Sequence, residues 1–217
     1  MEINKNMMKI YRPIGSNKLT QRFGANEACV GFTGIHPVKV VKKVNGICPS
    51  GTRDMYQAMG MKGHNGEDWA TWYREPCYFP VESNLTWKAR TEIDRDGGKG
   101  VDVISNEEIN LTGTPTHIKF RFWHLADSAV HDGQAVIQGQ RIGYCDSTGA
   151  SSGNHLHFSM KFCDSNGKTI YPDNGFRGAV DFRPWFINEF VQMPIKPKNN
   201  LVDELNKLIF LLQNIGK

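Results

Sequence analysis

The residue types best suited to chemistry in this chain are histidines, and most of them lie in three short segments. These segments are GHNGEDWA at 63–70, FWHLAD at 122–127 and STGASSGNHLHF at 147–158. Imidazole nitrogens and carboxylate oxygens are common zinc ligands, and imidazole also exchanges protons near neutral pH. The three segments therefore indicate metal binding, acid–base catalysis or both.

The HLHF motif predicts two histidines on one face of a strand. His155 and His157 are two residues apart, so both side chains point to the same side of an extended chain, together with Ser159. The opposite side carries Leu156, Phe158, Met160 and Phe162. That apolar face is expected to pack in a core, which leaves both imidazoles free to converge on a metal or a substrate. Two unrelated surface histidines are the alternative.

His64 and Asp68 are four residues apart across Asn65–Gly66, a dipeptide that favours a tight turn. A turn that runs into a strand can direct both side chains into one cavity. With a second histidine from a distant strand they would form a three-ligand zinc site whose fourth position is free for water. A simple ion pair between His64 and Asp68 is the alternative.

His124 ends the run HIKFRFWHL and shares the parity of Phe120 and Phe122. On a regular strand it would point into the core, where a histidine with satisfied hydrogen bonds is the plain expectation. Only a bulge or a strand end near Trp123 would turn it toward a cleft. The other face of this strand carries residues that are predicted to be solvated, namely His117, Lys119 and Arg121.

Together the three segments resemble the lysostaphin-type, or LytM-type, zinc endopeptidases. Their pattern is H-x-x-x-D, then a lone His before Leu, then H-x-H; LTQRFGAN at 19–26 and GQAVIQGQRIGYCDSTG at 133–149 resemble two further stretches of these domains. The resemblance covers residues 19–162 in pieces. It implies one zinc ion, metal ligands at His64, Asp68 and His157, and a catalytic pair at His124 and His155.

The resemblance also implies a function, namely hydrolysis of peptide bonds in the stems or cross-bridges of bacterial peptidoglycan, as by a phage lysin or a virion-associated wall hydrolase. A non-catalytic LytM-like module that binds the wall or activates another hydrolase is the alternative, and the five intact positions favour the enzyme. Three residues depart from the usual pattern and are expected to affect substrate fit, namely Glu67, Trp69 and Asp146.

The elements that must position these residues are short. Residues 66–185 contain β-like runs separated by Gly, Asn, Asp and Pro clusters, and 22 glycines with 10 prolines favour turns over long helices. We therefore predict a mainly β fold with an antiparallel sheet core and long loops, as the resemblance also implies. Residues 25–62 are predicted to be an insertion or long loop with a short helix near Met55 and Met59; whether it is functional or a plain surface excursion stays open.

The predicted peptidase domain covers residues 1–190, and residues 191–217 are predicted to form a linker and an amphipathic helix. Apolar residues recur at helical spacing in that segment, at Leu201, Leu205, Leu208 and Leu212. Its broad apolar face either packs on the domain or allows self-association or docking to a partner.

Charge and composition exclude other classes of protein. The net charge of +4 is scattered without a dense basic block, so we expect no nucleic-acid partner. We find neither a membrane-spanning run nor a signal peptide, so action at the cell wall would require delivery by lysis, a holin-like partner or a virus particle. Five cysteines without a C-x-x-C motif do not define a disulfide framework, although one pair could bridge outside the cell.

Overall fold

Short strands make up most of the chain, of which the computed structural model describes residues 8–33 and 36–192. Turn residues interrupt the apolar runs every few positions, so few strands exceed eight residues. In chain order the elements are β1 (Met8–Arg12), β2 (Leu19–Gln21), β3 (Ala28–Thr33), β4 (His36–Lys42), β5 (Arg53–Asp54), α1 (Met55–Ala58), β6 (Glu67–Ala70), β7 (Pro76–Tyr78), β8 (Val81–Ser83), β9 (Trp87–Asp94), β10 (Gly98–Ser105), β11 (His117–Ser128), β12 (Ala135–Val136), β13 (Arg141–Cys145), β14 (His155–Cys163), β15 (Ala179–Val180), a 3-10 turn (Arg183–Trp185) and β16 (Phe186–Phe190).

The main sheet has ten strands in the described part of the chain. Its path runs β12-β9-β10-β11-β14-β6-β2, with β13 beside the end of β11, β7 beside β13, and β15 beside β14. All of its pairings are antiparallel. The prediction of a mainly β fold with an antiparallel core is confirmed.

The core lies on the face of the sheet that the HLHF parity predicted. Leu156 and Phe158 of β14 are fully buried, and Phe158 stacks on Phe120 of β11 with ring centres 5.5 Å apart. Phe79 and Trp87 extend the aromatic cluster. Burial of each such side chain contributes roughly 1.5–3 kcal/mol, so the alternation in β14 fixes which face the histidines occupy.

β11 contains a bulge at the point where it enters the polar region. Trp123 and His124 together oppose the single residue Gly100 of β10, and His124 adopts a left-handed φ of 64°. Phe122 and Leu125, on either side of the pair, are both fully buried. The extra residue therefore turns His124 out of the core, which is the exception to strand parity that the sequence analysis required.

Two small sheets flank the main one. The order β16-β1-β8 includes one parallel pair, β1 with β16, and the order β4-β3-β5 lies within the segment predicted as an insertion. A disulfide joins Cys29 on β3 to Cys48 in the loop between β4 and β5, and α1 follows β5 directly. The predicted short helix is therefore confirmed, and one cysteine pair does bridge.

The prediction that His117, Lys119 and Arg121 are solvated is wrong. Lys119 is 3% exposed; its ammonium group lies 3.1 Å from Asp102 and donates to the carbonyl of Gly167. Arg121 also pairs with Asp102, and His117 is half-buried. The segment after β14 covers this face, a long-range contact that strand parity does not reveal.

The predicted C-terminal helix lies outside the described residues, and the division of the chain near residue 190 stays a prediction. Among the residues that are described, we find no helix long and apolar enough to cross a membrane.

Candidate metal centre

Three side chains from two segments bring one ligand atom each to a common point. His64 Nε2 lies 3.2 Å from Asp68 Oδ1 and 3.0 Å from His157 Nδ1, and the last two atoms are 2.9 Å apart. Asp68 on β6 and His157 on β14 are direct partners in the strand ladder, and His64 precedes β6. The ligands predicted from the turn spacing, His64 and Asp68, therefore lie together with His157, which was predicted from strand parity.

His64 is held by the LTQRFGAN segment. Its backbone exchanges hydrogen bonds with this segment, accepting from Gly24 and donating to Ala25. Its Nδ1 lies 3.3 Å from the carbonyl oxygen of Arg22, and a carbonyl can only accept, so the hydrogen sits on Nδ1. Nε2 is therefore the nitrogen that faces Asp68 and His157.

Gly66 makes room for His157. A Cβ atom at position 66 would lie 2.7 Å from Cε1 and Nε2 of the His157 ring and 2.6 Å from the carbonyl oxygen of Phe158. Any side chain there would displace either the ring or the strand. The glycine in GHNGEDWA is thus required by the approach of β6 to β14.

Electrostatics keep the carboxylate of the cluster ionised and His157 neutral. Burial by itself would raise the pKa of Asp68, but His64 and His157 outweigh it and hold that pKa well below its ordinary value. Burial lowers the pKa of His157 to about 3, despite the opposing effect of Asp68. An ionised carboxylate with a neutral imidazole is the protonation state that metal binding requires.

The donor set fits a metal ion. Around a tetrahedral metal with ligand distances of 2.0–2.2 Å, neighbouring ligand atoms lie about 3.4 Å apart, slightly more than the spacing here. Two imidazole nitrogens and one carboxylate oxygen crowd together at 2.9–3.2 Å, with more lone pairs than protons between them. Within the described ranges, His64, Asp68 and His157 form the one His/Cys/Asp/Glu group that could hold a metal.

His124 and His155 lie beside this cluster with their ring centres 4.4 Å apart. Each donates from Nδ1 to a backbone carbonyl, His124 to Thr148 at 2.7 Å and His155 to Gly153 at 2.8 Å. Nε2 is therefore the nitrogen of each ring that is not engaged with these carbonyls, and that of His155 lies 3.7 Å from Asp68 Oδ2. Burial, followed by the neighbouring His155, lowers the pKa of His124 to about 4. All five predicted residues thus form one cluster, and their chemical roles stay predictions.

Tyr56 is a residue of this region that the sequence analysis treated only as part of a short helix. Its ring centre lies 5.9 Å from that of His64, and it is 2% exposed. Its hydroxyl makes no hydrogen bond of ordinary geometry to a described residue, although the Gln21 side chain interacts with it. Burial and then the Asp68 carboxylate raise its pKa. The only signal in the sequence is the predicted helix shortly before His64, which gives no indication of where that helix packs.

Comparison with known proteins places part of this site in a family. Residues 97–172 match the model of Peptidase family M23. The matched region contains His124, His155 and His157, whereas His64 and Asp68 precede it.

Solved structures of several peptidases resemble the chain at low identity. The catalytic domain of the antimicrobial peptidase lysostaphin from Staphylococcus simulans is 22% identical with a TM-score of 0.42, over 57% of this chain and 79% of that domain. A zinc-containing peptidase from Vibrio cholerae is 21% identical with a TM-score of 0.44, over 78% of this chain and 39% of its own. The catalytic domain of the prophage-encoded M23 protein EnpA from Enterococcus faecalis is 21% identical with a TM-score of 0.37, over 52% and 78%.

Two of the three histidine motifs lie inside the region that matches the family. The lone histidine before Leu125 and the H-x-H of β14 both lie inside the matched region, and the H-x-x-x-D of the preceding segment meets them in space. Residues 97–172 therefore match Peptidase family M23, and the resemblance to LytM-like peptidases that the motifs predicted is confirmed.

Proposed function

We propose that this chain is a zinc-dependent endopeptidase that hydrolyses peptide bonds in the stems or cross-bridges of bacterial peptidoglycan. The observation that carries the proposal is the convergence of three ligand atoms from His64, Asp68 and His157 beside the His124–His155 pair. The family region supports peptidase chemistry. Action at the cell wall and an origin as a phage lysin or virion-associated hydrolase belong to the same proposal.

The ligand set suits a catalytic zinc site. Two nitrogens and one oxygen leave a fourth position open, in contrast to the four protein ligands of a structural site. When bound, zinc lowers the pKa of a coordinated water to about 7 and polarises a carbonyl. The Asp68 carboxylate supplies the negative charge of the set, and its buried position between two imidazoles keeps it from competing interactions with water.

The second histidine pair is arranged for proton transfer. His124 and His155 both hold their Nδ1 hydrogen on backbone carbonyls, so Nε2 is the atom that accepts or delivers a proton. We propose that Nε2 of one histidine accepts the proton of the attacking water and then passes it to the leaving amine. The other histidine, protonated at Nε2 when it acts, donates a hydrogen bond to the developing oxyanion and keeps its proton. Positioned proton transfer of this kind contributes roughly a hundredfold to ten-thousandfold in rate.

Tyr56 supplies an additional O–H group. A tyrosine hydroxyl next to the ligand cluster can donate to the oxygen that becomes negative in the transition state, as in other oxyanion sites. It makes no hydrogen bond of ordinary geometry to the described residues, and the Gln21 side chain interacts with it. In this proposal the segment 25–62 is functional, because it delivers Tyr56 through α1.

The experiment compares His155→Ala with His157→Ala. The first variant should retain zinc and lose activity, because His155 is not a ligand, and the second should lose both. Bound zinc is measured on the purified protein, and mass spectrometry follows the peptides released from purified walls of several cross-bridge types. His131→Ala, which alters an exposed histidine, is the matched control.

Two outcomes would contradict the proposal. An active His155→Ala enzyme would refute the role of the histidine pair. If the unaltered chain binds zinc and wall material yet releases no new peptide ends, the chain is the non-catalytic wall-binding or activating module instead.

A further inference from the structure

The outer nitrogen of the His157 ring has no hydrogen-bond partner. Its Nδ1 faces His64 and Asp68, whereas its Nε2 is buried and makes no hydrogen bond to the described residues. Metal-binding histidines almost always donate the second ring N–H to a carboxylate, a carbonyl or water, and that bond fixes the ring. His64 follows this rule through Arg22. Some other contact must orient His157.

The indole of Trp123 makes that contact. Trp123 lies directly opposite His157 in the β11–β14 ladder, and the two rings stack with centres 5.4 Å apart and an interplanar angle of 29°. The ring of His157 is also bounded by the backbone at Gly66, where even a methyl group would collide with it. Packing on both sides therefore limits rotation of the imidazole.

Trp123 is itself held against the turn between β9 and β10. A Cβ atom added at Gly97 would lie 2.3 Å from the indole, and one at Gly100 would lie 2.5 Å from it. The indole thus lies directly on the backbone of these glycines, and Trp123 is only 8% exposed. Trp123 follows the regular alternation of β11, on the same side as Lys119 and Arg121, so its ring lies on the polar face beside His157.

A buried ion pair completes the support. The guanidinium carbon of Arg121 is 4.7 Å from the centre of the indole ring, and its Nε and Nη2 donate to Asp102 at 2.6 and 2.8 Å. Asp102 is fully buried; burial opposes its ionisation, but the pairing with Arg121 outweighs it and holds the pKa of Asp102 below its ordinary value.

We propose that Trp123, supported by Arg121 and Asp102, is the positioning residue that orients His157 and thereby sets the affinity of the metal site. Stacking on an aromatic ring replaces the hydrogen bond that usually performs this task. The inference rests on the proposed metal-binding function and concerns a residue that has no donor atom in the ligand set.

The test measures metal affinity, with no dependence on catalysis. Metal-free protein is titrated with Zn²⁺ in competition with a chromophoric chelator, and Co²⁺ is added separately to record the visible spectrum of the bound ion. Trp123→Leu should weaken Zn²⁺ binding by roughly tenfold to a hundredfold, as loss of a supporting contact typically does, and alter the Co²⁺ spectrum. Trp123→Phe retains a ring face and should bind within about threefold of the unaltered protein.

Trp87→Leu is the matched control. Trp87 is equally buried but packs against Phe79 and Phe120 in the core, so its loss should destabilise the protein and leave metal affinity unchanged. Equal weakening by Trp87→Leu and Trp123→Leu would overturn the proposal, since the effect would then follow stability alone.

Wild-type affinity and an unchanged Co²⁺ spectrum in folded Trp123→Leu would also overturn it. If Trp123→Leu does not fold, the Arg121→Lys variant tests the proposal instead. It keeps a cation beside Asp102 but removes the planar guanidinium group that packs on the indole. It should weaken Zn²⁺ binding by roughly threefold to tenfold. Unchanged affinity in Arg121→Lys would overturn the proposal. Failure of the unaltered protein to bind Zn²⁺ would instead refute the metal site itself, before any variant is compared.

Discussion

The Cys29–Cys48 disulfide offers a stability test whose magnitude follows from its position. It spans a sequence separation of 19 residues and ties β3 to the loop between β4 and β5, in the β4-β3-β5 unit that is separate from the ten-stranded sheet. The chain-entropy relation assigns about 3 kcal/mol at 25 °C to a loop of this length. Replacing the pair in the double variant Cys29→Ala/Cys48→Ser should therefore lower the free energy of local unfolding of this small sheet by about that amount.

Hydrogen exchange measures this local change directly. A loss of about 3 kcal/mol corresponds to roughly a hundredfold faster exchange at protected amides, and we expect it at β3 and β5 while β11 and β14 keep their protection. Dithiothreitol should reproduce the effect in the unaltered protein, and Cys163→Ala, which removes a free buried cysteine, should not. Unchanged exchange in β3, or equal acceleration in both sheets, would refute the reasoning.

The same variant is expected to reduce peptidase activity without loss of zinc. Asp54, at the end of β5, caps α1 by accepting from the backbone of Gln57 at 2.9 Å, and it pairs with Lys43 in the same sheet. Loosening this sheet should therefore loosen Tyr56, which is not a metal ligand.

Lys161→Met should raise stability near neutral pH. Burial lowers the pKa of Lys161 from 10.5 to about 7, a shift worth at most about 5 kcal/mol. Between pH 7 and 10.5 only the unfolded chain binds this proton, so stability rises with pH in that window. Thermal unfolding from pH 6 to 10 should give a flatter profile for the variant, and parallel profiles would exclude this account. Gly66→Ala should weaken zinc binding because its Cβ would meet the His157 ring, whereas Gly153→Ala, which points into open space, should not; equal affinities would contradict the packing argument. Tyr56→Phe should retain zinc and lower kcat by roughly a hundredfold to a thousandfold, and an unchanged kcat in wall hydrolysis would remove the hydroxyl from the mechanism.

Strand parity predicted the face of β14 correctly because that strand is regular. Leu156 and Phe158 alternate with His155 and His157 without interruption, and the buried and polar faces follow the alternation. The turn of GHNGEDWA was equally informative, since its glycine and its spacing are local properties. These parts of the site depend on contacts that a single segment encodes.

The position of His124 could not be obtained in the same way. The bulge that turns it out of the core depends on Gly100 in the neighbouring strand and on the carbonyl of Gly97, which accepts the backbone N–H of His124. Nothing within HIKFRFWHL marks this change, so parity alone placed the histidine in the core. The resemblance to a family supplied what the local pattern lacked.

The burial of the charged residues on β11 likewise could not be predicted from the local sequence pattern. Lys119 and Arg121 alternate with apolar residues and look solvated, but Asp102 lies on the strand beside them. Lys119 also donates to the carbonyl of Gly167, in a later segment of the chain. Whether a charged face meets water or a partner depends on the order of strands in the sheet, which the sequence pattern left undetermined.

Because of the bulge in β11, the number of residues in this strand determines which side chains face the site. Before the bulge, odd and even positions alternate between core and polar face; after it, the assignment is reversed, so Leu125 occupies the side that Phe122 occupied. Straightening the strand without removing a residue would bury His124 and move Leu125 into the cleft, with every side chain still present. In the regular part of β11 before the bulge, the chain should accordingly tolerate substitutions more readily than single-residue deletions, because a deletion there changes the phase of the residues on one side of it.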